Sequence, residues 1–432
     1  HNDLDHYNQV DVVLELDGAT LKPTDSPRRS VHIPADGQVL VDWHVSVVRE
    51  GQATVRMKAL TDEASDAMEM RFPVAVHGML KMDSFSGALR PRDSRGSFQI
   101  EVPEQRRVAQ SHLEVRFSPT LAGAMVDCLP YLVDYPYGCT EQTLNRFLPT
   151  VITQRVLLDM QLDLATIRQK RTNLNAQEIG DDRQRASQWQ RDDRNPVFDV
   201  AAVRRMAAEG IKALVQMQLT DGGWGWFSGW GEHSHPHTTA LVVHGLQLAQ
   251  RNDVAVPSET LKKGVAWLAS YRDRQMVRLN NFQSKTKPYK QHADNIDALV
   301  QMVLVDAGAR HQSMTDALYR DRNHLSVYGK ALLGLALHRQ DARRQLAKIL
   351  RNIGQYVVED DTNQTAYLNL PDSDWWYWYG SPYEAHAYYL KLLAATQPKS
   401  RTAARLVKYL LNNRKHATYW NSTRDTACLL YT

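Results

Sequence analysis

The chain has little cysteine: Cys128, Cys139 and Cys428 are the only three in 432 residues. Three cannot build a disulfide framework, and their spacing fits no zinc site. No apolar run reaches the roughly 20 residues that span a bilayer. The net charge is only +4, with no basic block interleaved with aromatics, so nothing points to a nucleic-acid partner. No signal peptide is visible. The sequence opens abruptly at His1-Asn2-Asp3 and stops at Tyr431-Thr432 inside a helical pattern, so it reads as a fragment of a longer protein, and the missing signal says nothing of location. A hydrophobic fraction of 43% permits real cores, and the length leaves room for two or three domains.

The first ~120 residues carry a strand-like period. Val10–Leu16, Val39–Val48, Ala53–Leu60 and Ala67–Val74 alternate or run apolar, with turn signals at Asp17-Gly18 and Glu50-Gly51. This spacing predicts a β-sandwich ending near residue 77. Gly96–Val102 and His112–Phe117 predict further strands, too few to close a domain. From about residue 120 the period turns helical. Leu121–Val133 leads into a distinctive octapeptide, and Leu148–Leu164 continues helically. Residues 167–195 are polar and charge-rich, a solvated insertion. Helices then recur with one pattern, a small residue just inside an apolar run: Thr238–Val243, Asn295–Val300, Tyr328–Leu333, Tyr383–Tyr388 and Asp425–Leu429. Repeated helix pairs of this kind stack, because no pair buries its apolar face alone.

The octapeptide is Tyr135-Pro136-Tyr137-Gly138-Cys139-Thr140-Glu141-Gln142. Cys139 and Gln142 stand three apart, on one face of a helix or closer still on the turn that enters one. A thiolate is both a good nucleophile and a good leaving group. Its attack on the Gln142 carboxamide, with loss of ammonia, leaves an acyl group on sulfur that amines and hydroxyls attack readily. Gly138 offers backbone freedom for the turn. Glu141 is the candidate proton handler. Tyr135 and Tyr137 adjoin the motif and are candidates for keeping water off it.

The octapeptide, with Thr143–Pro149 after it, resembles the thioester motif of the alpha-2-macroglobulin and complement family, in particular its bacterial branch; Trp420–Thr426 resembles a segment late in that family's thioester domain. The resemblance implies a multidomain β + α fold. Residues 1–77 would be a macroglobulin-like β-sandwich, 78–119 the first part of a split CUB-like β-domain, and 120–432 an α/α-toroid, six-hairpin-type thioester domain. It implies a broad-range inhibitor of endopeptidases that captures the attacking protease through surface lysine amines, acts once and is not an enzyme, and serves bacterial defence in the periplasm or outside the cell. Its neighbours would be further domains of the full-length chain, with no nucleic acid, no metal and no cofactor beyond the internal Cys139–Gln142 cross-link. Any membrane anchor would lie outside these residues.

Other features leave alternatives open. Cys128 and Cys428 are either two buried thiols or a disulfide joining the first and last helices of a closed ring. His233, His235 and His237 alternate around Pro236, either as an exposed loop or as a metal or transfer site; His292 is a second candidate for assisting transfer. Trp375–Tyr379 either fills a core or helps shield the thioester. Gln218–Trp226 resembles the Gln/Trp repeats of triterpene cyclases, where such residues tie helices together; the Asp-x-Asp-Asp acid those enzymes need is missing, and Asp360-Asp361 lacks the pattern. An opsonin-like protein that attaches to surfaces through the same bond is the second functional reading.

Overall fold

The computed structural model describes residues 1–17, 19–75, 95–97, 99–108, 111, 113, 115, 122–170, 195–229, 231–361, 363–371, 381–414 and 419–431. Most of the 167–195 insertion and the whole Trp375–Tyr379 cluster therefore lie outside the described residues. The chain divides into two compact units, His1–Met82 and Asp83–Thr432. It is a multidomain fold of β and α parts.

The first unit holds β1 (Asn8–Asp17), β2 (Leu21–Pro23), β3 (Arg28–Ile33), β4 (Val45–Val47), β5 (Gly51–Leu60) and β6 (Ser65–Val74). They form a four-stranded antiparallel sheet in the order β3-β1-β5-β6, and a separate β2-β4 pair. The register places Leu14 opposite Met57 and Met57 opposite Met68. Glu15, Arg56 and Glu69 line the other face in the same way, where Arg56 meets Glu69 at 2.5 Å. This is the period-two segregation of a half-solvated sheet. Two expectations fail here. Val39–Val48 is strand only at Val45–Val47, and Leu40 is 85% exposed. The unanticipated β3 is an edge strand with the polar residues Arg28, Ser30 and His32 on its exposed face, which hides its alternation. The described residues of 96–102, and Leu113 and Val115, form no strand. No described strand pairs with them, and an unpaired strand leaves its backbone polar groups to water.

The second unit begins, among the described residues, with α1 (Ala122–Val133), α2 (Thr140–Asp159) and α3 (Leu164–Lys170). A single turn at Pro196–Phe198 precedes α4 (Val200–Met217), α5 (Pro236–Arg251), α6 (Ser258–Asn280), α7 (Asn295–Asp306), α8 (Gln312–Arg320), α9 (Val327–Arg339) and α10 (Arg343–Gly354). A hairpin of β7 (Val357–Asp360) and β8 (Thr365–Leu368) follows, then α11 (Pro382–Thr396), α12 (Arg401–Asn412) and α13 (Thr423–Tyr431). Six helices make a closed cycle of contacts: α2 packs on α5, α5 on α7, α7 on α9, α9 on α11, α11 on α13, and α13 returns to α2. The others lie against this cycle, α4 on α2, α6 on α5 and α7, α10 on α9, and α12 on α11.

Sequence accounts for the two roles. The cycle helices are buried almost all round, as α9 shows by burying every residue from Val327 to Leu337. The flanking helices carry one apolar stripe: α4 buries Val203, Ala207, Ile211 and Leu214, and α10 buries Leu346, Ile349 and Ile353. The recurring small residue is fully buried in every case, with Ala240, Ala298, Ala331, Ala385 and Ala427 all at 0% exposure. Glycine permits the closest approaches, since a Cβ on Gly245 would stand 2.6 Å from Leu144 Cδ1. Ser326, Ser381 and Asp294 cap α9, α11 and α7 through their side chains.

Candidate functional site

The motif is itself a helix start. The first N–H groups of a helix have no partner within it, and a capping box satisfies two of them reciprocally. Serine or threonine ordinarily opens such a box, with glutamate or glutamine three residues on. Here Cys139 takes the first place and Gln142 the second. The Gln142 backbone N–H faces the Cys139 side chain, and the Cys139 N–H donates to Gln142 Oε1 at 3.2 Å. Local helix chemistry thus sets the thiol and the carboxamide on the same turn, each against the other residue's backbone N–H. Cys139 is 8% exposed. Burial pushes its thiol up, and the Gln142 N–H opposes that.

Long-range bonds hold this helix start in place. Thr140 donates from both its backbone N–H (2.9 Å) and its hydroxyl (3.0 Å) to the Trp226 carbonyl. Arg146 reaches back to the carbonyls of Tyr135 at 2.6 Å and Tyr137 at 3.0 Å, fixing the approach to Cys139. The Tyr135 ring packs edge-on between those of Tyr131 and Tyr137, yet Tyr137 is itself 66% exposed. Gly138 has no positive φ, and a Cβ there would meet nothing within 4 Å. The turn into α2 therefore does not need the freedom that glycine was expected to supply, because the N-cap takes extended backbone open to any residue.

Glu141 points into a small pocket with Leu144, Trp226, His237, Leu241 and Arg424. Burial pushes the Glu141 carboxyl up to about 7, against the pull of the Arg424 charge. His237 is 3% exposed; burial, with Arg424 beside it, holds the imidazole well below its usual range and therefore neutral. Arg424 forks onto Glu384, Nε to Oε1 at 2.7 Å and Nη2 to Oε2 at 2.6 Å, and Nη2 lies 3.4 Å from His237 Nε2. Arg424 falls inside the Trp420–Thr426 segment and Glu384 inside the Tyr383–Tyr388 pattern, but neither was picked out as a site residue; each sits in the first turn of its helix.

The histidines separate. Pro236 starts α5, so His237 is inside a helix and not in a loop, while His233 is exposed. His292 does not line the pocket; it stacks on His324 at 3.7 Å between ring centroids and approaches Asp321. Among the described residues no group of three or more His, Cys, Asp or Glu is placed to hold a metal ion. Cys128 and Cys428 are fully buried thiols that no disulfide joins. Asp361 pairs with Arg401 and Arg405, which gives it a structural role. Gln218 ties Gly222 and Thr260 carbonyls together at 2.9 Å each, and Trp224 is fully buried, so this stretch links helices.

No family model matches the chain. It is 24% identical over 389 residues to an alpha-2-macroglobulin of Thermotoga maritima, covering 90% of this chain and 19% of that protein. It is 22% identical over 410 residues to thioester-containing protein 1 (allele S1) of Anopheles gambiae, covering 93% of this chain and 25% of that one. Among solved structures it is similar to a Salmonella alpha-2-macroglobulin reacted with methylamine, at 18% identity and a TM-score of 0.48, over 99% of this chain and 25% of that chain. The chain thus spans a quarter or less of these relatives. Over most of its length the chain is thus similar to a bacterial alpha-2-macroglobulin and to a mosquito thioester-containing protein.

Proposed function

We propose that the chain is the thioester-bearing part of a protease trap. Cys139 and Gln142 form an internal thioester; a lysine amine of an attacking protease adds to the Gln142 acyl carbon, the carbon–sulfur bond breaks, and the Cys139 thiol is released. The partner is then held by an amide bond, and the molecule is spent without turnover. The reading extends to 120–432 as an α/α-toroid thioester domain, with 1–77 and 78–119 as macroglobulin-like and CUB-like parts. It places the protein in the periplasm or outside the cell. The observation that carries it is the reciprocal cap between Cys139 and Gln142 on a helix start held by Thr140 and Arg146. The likeness to alpha-2-macroglobulins supports it.

Intact mass of gently purified protein tests the reading. The expected mass is one ammonia below that of the sequence, with methylamine adding at Gln142 and freeing one thiol. Cys139→Ala abolishes both signals. A plain-sequence mass with Gln142 unmodified in a peptide map overturns the reading. His237, in the pocket beside Glu141, is the observation that favours a second reading, attachment to surface hydroxyls. Glycerol competing with methylamine for the acyl group separates the two.

A further inference from the structure

Four helices of the cycle each send one ionisable side chain from the first turn toward the same small volume. Glu141 comes from α2, His237 from α5, Glu384 from α11 and Arg424 from α13. Glu141, His237 and Arg424 line one pocket, and Glu384, 1% exposed, holds Arg424 from behind with two hydrogen bonds. Such a fork favours the ionised carboxylate although burial pushes Glu384 up. Asp425 stands next to Arg424 and is held by Ser422 and Ser381. Asn145 donates to Glu141. Arg424 thus shares the pocket with Glu141, is clamped by Glu384 and has Asp425 next to it, and Glu141 directly precedes Gln142 in the chain.

We propose that Arg424, clamped by Glu384, is the positioning residue that fits Glu141 to carry a proton from the attacking amine to the Cys139 sulfur. This rests on the thioester reading above. In the step, the amine nitrogen adds to the Gln142 acyl carbon and the carbon–sulfur bond breaks. The surplus proton on nitrogen passes to the Glu141 carboxylate and from there to the Cys139 thiolate. The products are an amide and a thiol, with no net proton taken up. Only ionised Glu141 accepts the proton, and that form prevails above about pH 7. The charge of Arg424 favours that form, whereas the charges of Glu384 and Asp425 oppose it.

The two variants therefore act in opposite directions. The measurement is the rate of methylamine incorporation against pH at fixed free-base concentration, by mass, on protein first shown to carry the ammonia deficit. The parent's rate should rise through a midpoint near 7. R424M should move that midpoint to higher pH and E384Q to lower pH. Each should change the rate on the acid side by about tenfold, the effect of roughly one pH unit. E141Q should remove the midpoint. R424K keeps the charge and loses the fork, so its midpoint should rise, by less than that of R424M, and this smaller rise is the reading if R424M fails to load. Midpoints that stay put, or that move the same way in R424M and E384Q, overturn the proposal. A merely structural pair would lower loading in both variants without opposite shifts. Failure of the thioester reading itself looks different: the parent then shows no ammonia deficit and no methylamine uptake at any pH.

Discussion

Replacing Trp224 by phenylalanine tests how the helices around the site are held together. Trp224 is fully buried, and its indole N–H donates to the Leu214 carbonyl at 2.8 Å. Leu214 is in the last turn of α4, where carbonyls lack a partner within the helix. The Trp224 backbone N–H donates to Thr239 Oγ1 at 2.9 Å, in the first turn of α5. One residue thus closes the end of a flanking helix and the start of a cycle helix. The chain repeats the device at Trp420, which donates from its indole to the Leu410 carbonyl at 2.9 Å and from its backbone to Thr426 Oγ1 at 3.1 Å. In W224F the Leu214 carbonyl is left buried and unpaired, at about 1–3 kcal/mol. The smaller ring leaves a cavity worth roughly 1–2 kcal/mol more. The expected loss is about 3 kcal/mol. Urea unfolding followed by helical circular dichroism reads it, as a lower midpoint at unchanged slope. Trp267 serves as the control, because its indole bonds the exposed Asp221 and W267F should cost under about 1 kcal/mol. If W224F costs no more than W267F, the tie is not structural. Because the Trp226 carbonyl anchors Thr140, W224F should also hasten hydrolysis of a thioester at Cys139.

Two further outcomes follow from buried contacts. Gly210→Ala and Gly245→Ala would each drive a methyl group into α2, with Cβ 2.3 Å from Phe147 Cδ1 and 2.6 Å from Leu144 Cδ1, and each should destabilise by about 1–3 kcal/mol in the same unfolding assay, whereas Gly354→Ala meets nothing within 4 Å and should not. Lys391 reaches His244 Nε2 at 3.2 Å, and burial pulls its ammonium down from 10.5 to about 8. The unfolded chain then binds the extra proton between those limits, so stability should rise with pH from about 8 towards 10.5, by about 3 kcal/mol in all. Lys391→Met should lose that rise. Taking the difference between variant and parent cancels the tyrosines, and an equal rise in both would refute the assignment.

The sequence by itself determined the local things. Period two in Ala53–Leu60 and Ala67–Val74 and period 3.6 after residue 120 are backbone geometry written in side chains, and β5, β6 and the helices form where those periods run. The cap at Cys139 is equally local, because a side chain at the helix start and one three residues on must meet across a single turn. The small residue inside five of the six cycle helices was legible for the same reason, and its burial in all five cases shows what the pattern was for. What was not legible depends on partners far along the chain. The edge strand Arg28–Ile33 has too little apolar pattern and is formed by pairing with β1. His237 could not be told from His233 and His235 in sequence, since only the helix beginning at Pro236 turns one of them inward and leaves His233 exposed. Arg424 and Glu384 are 40 residues apart, and nothing in the Trp420–Thr426 segment or the Tyr383–Tyr388 pattern pairs them. Their meeting with Glu141 was decided only by closing the helices into a cycle, which sets their first turns side by side. Burial there makes each charge depend on its neighbours, which a sequence cannot show because it contains no distances.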